Sequence, residues 1–131
     1  MRKRPERKGG RGMQRRLAVI AAAVMIGVTG LIGVATAETF RVRATSSNTW
    51  KPKHTYIGKG DRVVWRNPTS RKHNIRAYGG NWSFSRTVPS GERRAKRFRK
   101  TGTFRYRCSL HSTLSSGRCS GMCGVVHVFR K

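Results

Sequence analysis

Between Gly102 and His111 the chain reads Gly-Thr-Phe-Arg-Tyr-Arg-Cys-Ser-Leu-His. Phe104, Tyr106 and Cys108 alternate with Arg105 and Arg107, a period of two that suits a strand with one buried face and no helix. The same alternation recurs at Phe40, Val42 and Ala44, at Val63 and Trp65, at His73, Ile75 and Ala77, and at Val126 and Val128. Thr55 to Ile57 adds a short run, and Ala95 to Phe98 reads as a short, very basic strand. Gly58 to Asp61, Asn67-Pro68, Gly79-Gly80, Pro89 to Gly91 and Thr101-Gly102 separate them as turns, and residues 81–92 read as loop. No stretch beyond residue 38 carries a helical period. The expectation is an all-β domain of about seven to eight strands, packed as a sandwich of two sheets.

The first 37 residues are of a different kind. Arg2, Lys3, Arg4, Arg7, Lys8, Arg11, Arg15 and Arg16 precede an uncharged run, Leu17 to Ala37, of 21 residues that ends in Ala35-Thr36-Ala37. A basic start, an apolar run and small residues at its end describe an export signal, and the run is also long enough to be an N-terminal membrane anchor. We divide the chain into this leader, 1–37, and a domain, 38–131, exported to the periplasm, the cell surface or the medium. That domain holds 22 of the 30 Lys and Arg and three acids, Glu38, Asp61 and Glu92, for a formal charge of +19. The field favours anionic partners: an acidic protein, an anionic membrane or a cell-wall polymer. Three acids leave too few groups for hydrolytic acid–base work, and no aromatic-interleaved platform for nucleic acid is apparent.

Three cysteines, Cys108, Cys119 and Cys123, make an odd count for an exported chain, so one thiol is free or pairs between chains. If Cys119 and Cys123 pair, Cys108 is the free one. Cys108-Ser109-Leu110-His111, Gly121-Met122-Cys123-Gly124 and the upstream His73-Asn74 then supply a thiolate, two imidazoles and a thioether. Two His and one Cys with a weak axial Met form the ligand set of a mononuclear electron-transfer copper site. Two other readings use the same residues: a structural zinc on Cys108, Cys119, Cys123 and His111, and a metal-free Cys108 disulfide. His54 and His127 read as surface residues, and Trp50, Trp65, Trp82 and Tyr106 as packing.

Residues 50–131 resemble the plastocyanin/azurin branch of the cupredoxins. The resemblance is carried by Gly60 to Asn67, His73-Asn74-Ile75, Lys100 to His111 and Gly121 to Val128. It implies a Greek-key β-sandwich and one copper ion held by His73, Cys108, His111 and Met122, with Asn74 bonded across to the Cys segment. It also implies an electron carrier rather than an enzyme, a monomer serving a redox partner with an acidic docking surface. A copper-trafficking protein of the same fold and a cationic surface binder are the alternatives. One departure stands out. Ten residues separate His111 from Met122, where the family's spacing is short, and Leu114 occupies the position a short loop would give to Met. Met122 reaches the metal if a Cys119–Cys123 disulfide draws the loop in; otherwise the site is axially open beside Leu114.

Overall fold

The computed structural model describes residues 33–131. The expected leader falls almost wholly outside them, and its described end, residues 33–37, is exposed and forms no element. No helix among the described residues is long and apolar enough to cross a membrane.

Nine strands follow: β1 (Thr39–Ala44), β2 (Trp50–Lys51), β3 (His54–Gly58), β4 (Arg62–Arg66), β5 (His73–Tyr78), β6 (Ser85–Val88), β7 (Arg93–Arg97), β8 (Gly102–Ser115) and β9 (Arg118–Phe129). They form a four-stranded sheet, ordered β2-β1-β4-β7, and a five-stranded sheet, ordered β3-β9-β8-β5-β6. The sandwich expected from the alternation is present, with two additions. β6 lies in the stretch read as loop, because Ser85-Arg86-Thr87-Val88 offers a single buried apolar side chain, Val88. β2 is only two residues long.

The core lies between the sheets and is filled by the inward residues of each alternation. Val42, Ala44, Val63 and Trp65 come from one sheet, and Ile75, Phe104, Tyr106, Cys108, Met122, Val126 and Val128 from the other. The Arg residues between them point to solvent, so charge and core do not compete. Tyr106 pairs across to Gly124, and its ring lies where a Cβ on Gly124 would stand, which reserves that position for glycine.

Asp61 anchors the end of the sandwich away from the Cys segment. It is 1% exposed and accepts hydrogen bonds from the N–H groups of Glu38 and Gly58 and from Lys131 Nζ. Three donors stabilise the charged form. They outweigh burial, which acts in the opposite sense, and the carboxyl is held below its ordinary value.

The largest departure from expectation is the Cys–Met segment. It is not a loop. β8 runs on through His111 to Ser115, turns at Ser116-Gly117, and returns as β9 from Arg118. Ser112 to Ser115 pair with Gly121 to Arg118, a hairpin that extends beyond the sheet. Leu114 pairs with Cys119 on this extension and is 39% exposed.

Candidate metal centre

Arg107 pairs with Cys123 and Ser112 with Gly121. Four residues of β8, Cys108 to His111, therefore bulge opposite a single residue of β9, Met122. A bulge of this kind re-aims side chains at the edge of a ladder. Here it turns Cys108 and His111 toward the same point, and Met122, which stands opposite the bulge in the ladder, is fully buried. Ser112 Oγ donates to the Cys108 carbonyl at 2.6 Å and ties the bulge across its base, and Arg107 Nη1 donates to Ser112 Oγ at 3.1 Å.

β9 passes so close to the bulge that a Cβ on Gly121 would lie 2.5 Å from the His111 carbonyl oxygen. Gly121 also has φ +96°, a conformation that costs any other residue strain. The Cys119–Cys123 disulfide joins the two sides of Met122 within β9. It rules out the zinc reading, since neither of those sulfurs is then a thiolate, and it leaves Cys108 as the free, buried cysteine.

His73 opens β5 and closes the triangle. Its Nδ1 is 3.1 Å from His111 Nδ1 and 3.9 Å from Cys108 Sγ, and His111 Nδ1 is 3.5 Å from the same sulfur. The point equidistant from the three donors lies about 2 Å from each, the length of a metal–imidazole bond. His73 and Cys108 are fully buried and His111 partly exposed. Burial, followed by the nearby His111 and Arg71, holds the His73 imidazole below its ordinary pKa, so the ring is neutral and its lone pair is free at neutral pH. A soft sulfur and two imidazoles, the sulfur and one ring buried, fit a single copper ion.

Asn74 braces the Cys side as expected. Its backbone N–H lies 3.4 Å from Cys108 Sγ, its Nδ2 donates to Ser109 Oγ at 2.8 Å, and its Oδ1 accepts from Ser109 N–H at 2.7 Å.

Two residues that the sequence did not single out brace the His side. Thr69 donates its hydroxyl hydrogen to Asn67 Oδ1 at 2.7 Å, so its oxygen accepts from His73 Nε2 at 3.0 Å. That fixes the tautomer with the proton on Nε2 and the lone pair on Nδ1, facing the other donors. Asn67 is itself fully buried, and its Nδ2 donates to the carbonyls of Arg71 and Val88. Their sequence signal is Asn-Pro-Thr, which reads only as the end of a strand. Trp50 covers His73 from the core edge-on, with ring centroids 6.0 Å apart.

The two-sheet sandwich is cupredoxin-like in fold, and the His-Cys-His cluster lies on its Cys-x-x-His bulge. Solved structures of that fold are what the chain is similar to. A reduced amicyanin mutant superposes with a TM-score of 0.58 at 20% identity, over 70% of this chain and 82% of that one. A purple cupredoxin from Nitrosopumilus maritimus gives 0.53 at 22%, over 68% and 98%. A copper-containing nitrite reductase from Thermus scotoductus gives 0.59 at 23%, over 71% of this chain but 23% of the reductase. No family model and no curated protein sequence matches the chain.

Proposed function

We propose that this chain is an exported mononuclear copper protein that carries single electrons between redox partners, with His73, Cys108 and His111 as ligands and Met122 as the axial one. The observation that carries the reading is the triangle of donors, 3.1, 3.5 and 3.9 Å on its sides, braced independently on its His73 and Cys108 corners. Copper, when bound, supplies a one-electron couple. The residues supply rigidity: Thr69 holds His73, Asn74 and Ser112 hold the Cys108 segment, and the disulfide brackets Met122. Ligands that do not move between oxidation states keep the reorganisation cost of electron transfer low. Burial of His73, Cys108 and Met122 excludes water, and His111 alone of the four reaches the surface.

The chain has four His in all. Two are in the cluster, and the two that remain are too few for the further catalytic copper centre of a multi-copper enzyme, which favours a one-electron carrier. The Ala-rich leader and the disulfide support an oxidising compartment outside the cytoplasm. The charge of the domain supports an acidic redox partner. Voltammetry of the copper-loaded protein tests the role. A reversible one-electron wave, absent in Cys108→Ala, is expected. Copper held without such a wave supports trafficking and overturns the carrier reading.

A further inference from the structure

His54 opens β3, and His127 lies on the adjacent β9. The parallel register sets His54 beside Val125 and Tyr56 beside His127, so both imidazoles stand on the outer face of the five-stranded sheet. His54 Nδ1 and His127 Nε2 are 3.1 Å apart. The ring centroids are 5.4 Å apart and the planes within 15°. Together these figures put the two nitrogens on the line joining the rings, meeting head-on rather than splayed. Tyr56 stacks on His127 with centroids 4.7 Å apart and planes within 10°, which limits how far that ring can turn.

We propose that His54 and His127 form a second metal site, on the surface, that takes one Cu(I) ion in line between the two nitrogens. Cu(I) has a filled d shell and accepts two neutral nitrogen donors in a straight line. Zinc and Cu(II) take four or more ligands and need donors that splay around them. A metal–imidazole bond is about 2 Å long, so the pair must open from 3.1 Å to about 4 Å. His54 is exposed, and a small turn of its side chain provides that opening.

Charge selects the same ion. Of the three acids among the described residues, Asp61 is bound to Lys131 and Glu92 to Arg94, and Glu38 precedes β1 of the other sheet. No carboxylate is paired into this face, while Arg105 flanks it through its pairing with Val125. A monovalent ion meets half the repulsion that a divalent ion meets in the same field. The site is separate from the first cluster. Four residues of β9 lie between Met122 and His127, a span of five steps or about 17 Å of strand.

The test uses the full chain carrying Cys108→Ala and His111→Ala, which removes the first cluster whether or not that cluster binds copper. Circular dichroism checks its fold. Anaerobic titration with Cu(I) against a chromophoric Cu(I) chelator is expected to show one equivalent bound. Adding His54→Ala or His127→Ala is expected to weaken binding at least tenfold. In the unmodified chain the ring-proton resonances of His54 and His127 shift together on Cu(I) addition. No uptake in the double variant, uptake indifferent to both His substitutions, ring resonances that stay put, or Zn(II) bound as tightly as Cu(I) would each overturn the proposal.

Discussion

The backbone N–H of Asn74 lies 3.4 Å from Cys108 Sγ, and the Asn74 side chain clasps Ser109, the next residue, through both its amide atoms. One residue thus couples β5 to the bulge of β8 and directs a donor at the sulfur. Asn74→Ala keeps the N–H and removes the clasp. Losing two partly buried hydrogen bonds is expected to cost about 2 kcal/mol of stability, read by urea unfolding. Copper release from the variant is expected to be faster than from the parent. Unchanged release would mean that the clasp does not hold the Cys108 corner.

Thr69 acts on the opposite corner. In Thr69→Val the His73 Nε2 proton loses its acceptor, and the ring is free to take the other tautomer. Copper affinity is expected to fall roughly tenfold to a hundredfold, the usual cost of losing the partner of a ligating His. Thr69→Ser restores the hydroxyl and is expected to restore affinity. A Ser variant as weak as the Val variant would show that the methyl, not the hydrogen bond, matters.

Met122 and Leu114 separate two accounts of the axial position. Met122→Leu conserves volume in the core and is expected to cost less than about 1.5 kcal/mol, yet to raise the reduction potential, because a thioether donor is lost. Leu114→Ala, on the exposed hairpin, is expected to change neither. Gly121→Ala introduces a methyl against the His111 carbonyl at a positive φ, costing about 2 kcal/mol and displacing Met122. A potential that responds to Leu114 and not to Met122 would reverse the assignment.

Asp61 links stability to acid. Its carboxyl is held below the ordinary value in the folded chain, so its contribution is complete above the unfolded pKa, about 3.9, and is lost as pH falls through the lowered one. Asp61→Asn is expected to cost about 3 kcal/mol at neutral pH, since three donors lose their charged acceptor. The difference between variant and parent is expected to shrink below pH 4, measured as Tm against pH. A gap that stays constant into acid would exclude Asp61 as the source.

Much of the site was legible because its parts are local. Phe104, Tyr106 and Cys108 alternate into the core, and Cys108-x-x-His111 and His73-Asn74 are short patterns whose donor atoms lie 3.1 to 3.9 Å apart. What escaped depends on backbone pairing rather than side-chain pattern. Ser112 to Ser115 and Arg118 to Gly121 are mostly polar, and they read as loop; a ladder between two neighbouring segments holds them, with little core to mark it. The Thr69–His73 bond rests on a turn that brings side chains four residues apart together. His54 and His127 meet only through the parallel register of β3 and β9, 73 residues apart, which no local pattern announces.

In the proposed function His73, Cys108 and His111 bind one copper ion through the Cys108 sulfur. The most direct measurement is the visible absorption of the full chain titrated with Cu(II). An intense blue or purple charge-transfer band that saturates at one equivalent, and that is absent in Cys108→Ala, is predicted. Colourless binding, or a band that survives the loss of Cys108, would show that the sulfur is not a ligand.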